Sequence, residues 1–213
     1  MGVRVLVLDG GADRFPHLIS TPGFDPNLFV DGIDPQNWEA LNSSPDHPLN
    51  NRALQGMYPP GSTFKPFVYL SAFAKAADEG GALTPATIVV DEPATWTVGN
   101  QEWSPKNYDG EYDGPITLRR ALAMSRNIAA VKVAEQTGYD RVVDLWKKAK
   151  IGETDQVKPY PSLALGVVEL TPMEVAEAYT LFPNGGKIRK LRAILNVTSG
   201  EDVAKPKAVT GPT

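Results

Sequence analysis

The sequence predicts an α+β fold, in which amphipathic helices occupy the middle of the chain and β-rich segments lie near its ends. Apolar residues recur at helical spacing in several segments between residues 64 and 182. Two β-rich runs at 3–9 and 15–20 flank Gly10-Gly11-Ala12-Asp13, a pattern typical of a hairpin. Residues 191–198 predict a further strand. We therefore expect a mostly helical region packed on a reduced antiparallel sheet.

The bulk composition excludes several classes of function. The 213 residues carry 21 Lys and Arg against 25 Asp and Glu, with no long run of one sign, which argues against a nucleic-acid partner. Cysteine is absent and the two histidines, His17 and His47, are too few for a multi-histidine metal site or a Ser-His-Asp triad. Any serine chemistry must therefore use another base. No apolar run approaches the roughly 18 residues of a transmembrane helix and no signal peptide is evident, so the chain as written is expected to be soluble.

The first half of the chain predicts one long loop, one helix and one irregular segment. Residues 21–60 are rich in Pro, Asn, Asp and Gly, which indicates an ordered loop with short helical turns. Apolar residues at helical spacing predict a helix from Phe64 to about Asp78 that ends at Gly80-Gly81. Residues 93–115 are rich in Trp, Tyr, Asn and Gly and predict irregular structure that could border a groove.

The second half predicts four helices. Thr117 opens the first, Asn127–Gln136 resumes helical spacing, and Tyr139–Lys150 is amphipathic. Thr171-Pro172-Met173-Glu174 combines an N-cap threonine, a proline at the first helical position and a glutamate at the third. This pattern predicts a helix that runs to Phe182.

The motif with the most chemical content is Ser62-Thr63-Phe64-Lys65, in which a serine lies where a helix begins. Three residues make nearly one turn, so the Lys65 amine can reach the Ser62 hydroxyl. A lysine made neutral by burial can accept the serine proton, and the helix N-terminus favours the oxyanion formed when Ser62 attacks a carbonyl. The pattern also arises by chance about once in a chain of this length, so a serine N-cap with a solvated lysine is the alternative interpretation.

A second element, Ser125-Arg126-Asn127, follows 63 positions later, between two predicted helices. Its hydroxyl can relay a proton, and its amide can orient a substrate peptide bond. By itself the element is equally typical of an interhelical turn in which Ser and Asn cap helix ends.

A Ser-x-x-Lys motif followed by a Ser-x-Asn element is a signature of penicillin-binding proteins, and the chain resembles their transpeptidase domains over nearly its whole length. Residues 20–67, with Tyr58-Pro59-Pro60-Gly61-Ser62, resemble class B members. Residues 85–200, with Trp103–Tyr108 and Leu163-Ala164-Leu165-Gly166, resemble class A members, so the chain is a mosaic of the two. The resemblance implies the serine transpeptidase and β-lactamase fold.

The resemblance also implies a peptidoglycan D,D-transpeptidase that works through an acyl-serine and binds penicillin covalently. Ser62 would attack the D-Ala-D-Ala end of a stem peptide with Lys65 as its base. Ser125 would pass the proton towards the leaving nitrogen, and Asn127 would hold Lys65 and the substrate amide. Stem peptides and β-lactam antibiotics are the implied partners, and no metal or organic cofactor is implied. The implied site of action is extracytoplasmic, in a parent protein anchored to the membrane.

The third motif of the family, Lys-Thr-Gly, does not occur in the chain. In the nearest string, 207–213, Lys207, Thr210 and Gly211 are the candidates to replace it. We therefore expect a single transpeptidase-like domain over residues 1–213 that lacks the usual C-terminal strands and N-terminal membrane anchor.

Two other functions stay open. One is a non-catalytic or impaired fragment that binds stem peptide or a partner without turnover. The other is a carboxypeptidase or β-lactamase, in which water resolves the acyl-enzyme. Glu169 and Glu174 are expected to be surface and capping residues, and this expectation disfavours hydrolysis because no other carboxylate is evident to activate water.

Overall fold

A computed structural model of the chain describes residues 19–81, 83–149, 151–152 and 157–191. Within these ranges it confirms the α+β fold, with helices predominating over short antiparallel strands. The predicted N-terminal hairpin and the strand predicted at 191–198 fall almost entirely outside the described residues. The chain divides into two compact units, of which the first is Met1–Met57 with Thr171–Thr213 and the second is Tyr58–Leu170.

The first unit confirms the prediction of an ordered loop with short helical turns. Side-chain oxygens of Asp25, Asp34 and Asn51 each accept a backbone N–H and so cap the start of a helical segment. The segments of this unit are the 3₁₀ turn Pro26–Phe29 and the helices α1 (Pro35–Ser43), α2 (Arg52–Gln55) and α7 (Pro172–Tyr179).

Helix α7 begins with the predicted capping box. The Thr171 hydroxyl accepts the Glu174 N–H, and the Glu174 carboxylate accepts the Thr171 N–H. The capping role expected for Glu174 is therefore confirmed. The helix ends at Tyr179, and the chain continues in turns through the predicted end at Phe182.

Four helices form the core of the second unit, and all four were predicted. Helix α3 packs against α5 and α6, and the rings of Phe64, Phe67 and Trp146 meet there with centroids 4.8–6.3 Å apart. Each buried side chain of this kind stabilises the fold by roughly 1.5–3 kcal/mol. The helices are α3 (Lys65–Asp78), α4 (Leu118–Ala123), α5 (Asn127–Thr137) and α6 (Tyr139–Ala149).

The prediction of irregular structure over 93–115 was wrong in part, because two short strands lie within this range and a third begins at Gly114. β2 (Trp96–Val98) and β3 (Gln101–Trp103) form a hairpin, and β4 (Gly114–Thr117) pairs antiparallel with β1 (Ile88–Asp91). Strands of three residues are too short to reveal a period of two. The hairpin forms because Gly99 takes a left-handed φ of 61° in the turn and the rings of Trp96 and Trp103 pack across the strands, 5.9 Å apart.

Candidate active site

The Ser-x-x-Lys motif lies at the start of α3. A 3₁₀ turn, Gly61–Phe64, continues directly into the helix, so Ser62 and Lys65 are about one turn apart along one helical segment. The Lys65 N–H donates to the Ser62 carbonyl oxygen and closes this turn. Ser62 is exposed, whereas Lys65 is only 1% exposed. The hydroxyl is thus open to a ligand, and the amine is drawn into the protein.

The Lys65 amine binds the second predicted element. Its Nζ donates to the Ser125 carbonyl oxygen at 2.5 Å, to Ser125 Oγ at 3.0 Å and to Asn127 Oδ1 at 2.6 Å. An ammonium has three donors, so these acceptors use all of them. Between Lys65 Nζ and Ser62 Oγ, both of which the structure describes, there is no hydrogen bond. Catalytic hydrogen bonds of this kind are often formed only when substrate is bound.

Burial changes the acid–base behaviour of Lys65. Desolvation lowers the pKa of its amine from 10.5 to about 8, because the charged form loses water that the protein only partly replaces. At neutral pH, about one tenth of the molecules would then carry a neutral amine. The site therefore holds a lysine that can act as a general base near neutrality.

Ser125 ends α4 in a conformation that favours glycine. Its φ is 55°, its N–H donates to Leu122 O at 3.0 Å, and the next N–H donates to Ala121 O at 2.9 Å. This pair of bonds is the Schellman helix end, where a side chain in the left-handed region costs roughly 1–2 kcal/mol. The serine keeps a hydroxyl 3.0 Å from Lys65 Nζ. The chain therefore carries a local strain at the point where the hydroxyl meets the amine.

Arg126 anchors the same turn on acidic side chains. The guanidinium, only 7% exposed, donates to both carboxylate oxygens of Asp109 at 2.8 and 2.7 Å and to Asp113. The Asp91 carboxylate lies 3.7 Å from its Nε. The hydrogen bonds that Arg126 donates to Asp109 and, second in size of effect, to Asp113 raise its pKa. The middle residue of the predicted element therefore fixes the turn to the neighbouring loop.

Asn127 is oriented by the same loop. Its Nδ2 donates to Lys106 O at 2.7 Å, which leaves Oδ1 to accept from Lys65 at 2.6 Å. Its backbone N–H donates to Asn107 Oδ1 at 2.7 Å. Because Arg126 makes no capping bond of its own, Asn107 caps the N-terminus of α5 from outside the helix.

A glycine contact supports the chain just before Ser62. Gly166 has a φ of 68°, and its carbonyl oxygen accepts the Gly61 N–H at 3.1 Å. A Cβ at position 166 would lie 2.3 Å from Gly61 O, so only glycine fits there. The Leu163–Gly166 segment therefore packs directly against the residue that precedes Ser62, and this packing requires glycine at position 166.

Asp91, Asn107 and Asp113 were not predicted as site residues. Asp91 is fully buried on β1, where it accepts two hydrogen bonds from Asn107 Nδ2 at 3.0 and 2.9 Å and one from the Asp113 N–H at 3.1 Å. The sequence contained one indication of Asn107, because this residue lies in the Trp103–Tyr108 segment that resembles class A penicillin-binding proteins. The burial of Asp91 depends on its tertiary partners and left no comparable signal.

The remaining expectations concern the end of the chain, metal sites and membrane spans. Lys207, Thr210 and Gly211 lie outside the described residues. Among the residues that the structure describes, no cluster of three or more Asp, Glu or His side chains could hold a metal ion. Within the same ranges no helix is long and apolar enough to cross a bilayer.

Sequence comparison finds relatives among the penicillin-binding proteins. The penicillin-binding protein transpeptidase domain family matches residues 5–211. Penicillin-binding protein 1A of Aquifex aeolicus is 40% identical over 136 residues, which are 64% of this chain and 18% of the relative. Penicillin-binding protein 1A of Neisseria meningitidis serogroup A is 40% identical over 139 residues, which are 64% of this chain and 16% of the relative. The chain thus spans less than a fifth of these curated relatives.

Solved structures agree with the sequence comparison. Penicillin-binding protein 1A from Haemophilus influenzae matches 78% of this chain and 24% of its own, with a TM-score of 0.67 and 32% identity. The imipenem acyl-enzyme complex of penicillin-binding protein A from Mycobacterium tuberculosis matches 94% of this chain and 50% of its own, with a TM-score of 0.77 and 25% identity. Because the family match covers nearly all of the sequence and the fold agrees, this chain belongs to the penicillin-binding protein transpeptidase domain family.

Proposed function

We propose that this chain is one transpeptidase domain that cross-links peptidoglycan through an acyl intermediate on Ser62. The observation that carries the proposal is the buried Lys65 amine, which is held by Ser125 Oγ and Asn127 Oδ1 one turn from the exposed Ser62 hydroxyl. The pKa of the Lys65 amine, about 8, lies close to neutral pH, where a general base is most effective in accepting the serine proton.

The proposed reaction begins when neutral Lys65 takes the Ser62 proton as Oγ bonds to the carbonyl carbon of the penultimate D-alanine. The positive end of the helical segment stabilises the oxyanion. When the tetrahedral intermediate collapses, the C–N bond breaks and Ser125 passes the proton from Lys65 to the leaving nitrogen. Terminal D-alanine is released. The amine of a neighbouring stem peptide then attacks the ester carbon, the bond from that carbon to Ser62 Oγ breaks, and the proton lost by the amine returns to Oγ through Lys65.

A β-lactam would follow the first step, because Ser62 would open the ring amide and stay acylated. The Mycobacterium tuberculosis relative was solved as an acyl-enzyme complex with imipenem, and this supports a covalent adduct on the present chain. We propose stem peptides ending in D-Ala-D-Ala as the natural substrate and no metal or organic cofactor. We also propose action outside the cytoplasmic membrane in a membrane-anchored parent protein, as the family resemblance implies. The matched segment is only 18% of the Aquifex aeolicus relative, which supports a longer parent.

A non-catalytic role is the second candidate, and the missing Lys-Thr-Gly motif favours it. By resemblance to the family, the strand that carries this motif would supply one N–H to the oxyanion. Losing one such donor typically costs about 100- to 1,000-fold in rate. In this role the chain would bind a stem peptide without completing the acyl transfer.

Labelling with a fluorescent penicillin separates the two candidates. We expect the wild type to form a covalent adduct and Ser62→Ala to form none, because alanine has no nucleophile. Ser43→Ala is the matched control, since it removes an exposed serine hydroxyl on α1 that donates to Glu39 O. The adduct is measured by gel fluorescence and by the mass of the modified peptide.

Either of two results would contradict the proposal. Adduct on Ser62→Ala at the wild-type level would remove Ser62 from the mechanism. A folded wild type that stays unlabelled at every penicillin concentration would favour the non-catalytic role. Circular dichroism of each variant establishes that it is folded.

A further inference from the structure

Asn107 makes hydrogen bonds on both sides of its carboxamide although it lies in a loop, between β3 and β4. It is 3% exposed. Its Oδ1 accepts the backbone N–H groups of Asn127 at 2.7 Å and Ile128 at 3.4 Å. Its Nδ2 donates to both oxygens of Asp91, at 3.0 and 2.9 Å, and to Glu111 O at 2.9 Å. The side chain thus joins β1 to the first turn of α5.

Asp91 determines which way this amide faces. A carboxylate only accepts hydrogen bonds, so Nδ2 of Asn107 must point towards Asp91 and Oδ1 must point towards α5. The reverse orientation would direct an NH₂ group at two backbone N–H groups. Asp91 is fully buried and is itself held by the Asp113 N–H at 3.1 Å. A buried charge therefore fixes the amide of Asn107.

The consequence reaches the Lys65 amine through Asn127. Two successive loop residues bind Asn127, because Lys106 O accepts its side-chain Nδ2 at 2.7 Å and Asn107 Oδ1 accepts its backbone N–H at 2.7 Å. The remaining polar atom of that side chain, Oδ1, meets Lys65 Nζ at 2.6 Å. The position of the loop thus determines where the acceptor for the amine lies.

We propose that Asn107, oriented by Asp91, is a positioning residue for acylation: it places Asn127 and, through it, the amine of Lys65. This inference rests on the proposed acyl-serine chemistry. Among the described hydrogen bonds none joins either residue to Ser62, so their effect acts through the geometry of Asn127. A displacement of about 1 Å in such a constellation can cost about 100-fold in rate.

The charged and titratable groups around this network come from every element packed on it. A shift in the titration of Lys65 can be assigned to Asn107 only if these groups keep their positions in the variant. They are Tyr69 on α3, Asp91 on β1, Lys106, Asp109 and Asp113 in the loop, Arg126 before α5 and Lys132 on α5.

The first test compares Asn107→Ala with Thr137→Val. Thr137 is a matched control, because its buried hydroxyl donates to Val133 O at 2.6 Å at the other end of the same helix. We expect Asn107→Ala to lower the rate of penicillin acylation about 100-fold. We expect Thr137→Val to acylate within about threefold of the wild-type rate, because the hydroxyl that it loses donates only to Val133 O.

A second readout does not depend on activity. The titration of Lys65 is followed by NMR of protein carrying ¹³C-labelled lysine. We expect a pKa of about 8 in the wild type and in Thr137→Val. In Asn107→Ala we expect the pKa of Lys65 to rise by about one unit, because a displaced amine gains water.

If Asn107→Ala fails to fold, exchanging the side chains of Asp91 and Asn107 provides a second test. Asn107→Asp alone and Asp91→Asn alone each remove the amide–carboxylate pair, and we expect each to slow acylation at least about tenfold. The double variant Asp91→Asn with Asn107→Asp restores one amide facing one carboxylate and keeps an acceptor for the Asn127 N–H. It also loses the donor to Glu111 O and the contact between Asp91 and Arg126, so we expect it to acylate faster than either single variant without reaching the wild-type rate. We expect the titration of Lys65 to move back towards that of the wild type.

Three outcomes would overturn the inference. They are an unchanged Lys65 titration in Asn107→Ala, a loss of rate that Thr137→Val reproduces, and no recovery in the folded double exchange. A wild type that is never labelled, together with the expected shift of the Lys65 titration, would instead reject the proposed function and leave the positioning of the amine intact.

Discussion

At the scale of the residue, Lys65 shows how burial supplies reactivity at a cost in stability. The same desolvation that lowers the pKa of its amine to about 8 also penalises the folded state whenever the amine is charged. Hydrogen bonds to Ser125 O, Ser125 Oγ and Asn127 Oδ1 offset part of this cost. With a solvated lysine the fold would be more stable at neutral pH, but a far smaller fraction of the amine would be neutral and able to accept a proton.

The pH dependence of stability tests this account of Lys65. The folded-state pKa lies below the ordinary value of 10.5, so between pH 8 and 10.5 the unfolded chain binds more protons than the folded chain. Stability contributed by this group therefore rises with pH across that window and is lost as the pH falls to 8. We expect the free energy of unfolding of the wild type to rise relative to Lys65→Met by roughly 2–3 kcal/mol between these limits. Urea unfolding at each pH gives the difference.

The same variant tests the base. Acylation by penicillin should fall by at least about 100-fold in Lys65→Met, since general base catalysis contributes that much or more. Lys75→Met is the control on the same helix, because the Lys75 amine donates to Gln136 O, away from the motif. A Lys65→Met protein that acylates at the wild-type rate would refute the role of the amine.

At the scale of the element, the end of α4 combines a helix cap with a site residue. The Schellman end places Ser125 at a φ of 55°, where the usual residue is glycine. Its carbonyl oxygen and hydroxyl both accept from Lys65. The helix end is thus less stable with serine than it would be with glycine. In return, the serine provides a hydroxyl that accepts a hydrogen bond from Lys65.

Ser125→Gly and Ser125→Ala form a matched pair that separates these effects. Both remove the hydroxyl, so we expect acylation to fall by a similar factor of about 100 or more in each. Only alanine keeps a Cβ in the left-handed region, so Ser125→Gly should be more stable than Ser125→Ala by about 1 kcal/mol. Thermal unfolding gives the stabilities, and equal stabilities would argue against the strained helix end.

Elements differ in how well sequence predicted them. The α7 start was predicted from Thr171-Pro172-Met173-Glu174, because a capping box is local chemistry within four residues. The β2–β3 hairpin was missed, because its three-residue strands carry no measurable period and are held by packing between Trp96 and Trp103. Local hydrogen bonds leave a sequence pattern, whereas contacts between short segments do not.

At the scale of the whole molecule, the proposed reaction must choose between water and an amine as the second acceptor. Hydrolysis needs a group that activates water near the acyl-serine. Glu174 is engaged by its capping box, and Glu169 is exposed. The proposed transpeptidation predicts that an amine, and not water, resolves the acyl-serine.

The choice is tested with a thioester analogue of D-Ala-D-Ala, by measuring how its acyl group is divided between an amine acceptor and water. We expect added D-alanine to increase the yield of the amide product relative to the free acid in proportion to its concentration. Chromatography of the two products gives the ratio, and Ser62→Ala gives the background. Free acid alone at every D-alanine concentration would indicate a carboxypeptidase.

The sequence by itself determined the helices and the two motifs, because the Ser62–Lys65 spacing, the N-cap residues and the apolar periodicity are all properties of neighbouring residues. Only the tertiary structure decided where the Lys65 amine goes. Its acceptors are 60 and 62 positions away along the chain, and their placement depends on the loop that holds Asn107 against buried Asp91. A buried charge is tolerated only where distant partners satisfy it, and a linear pattern does not record those partners.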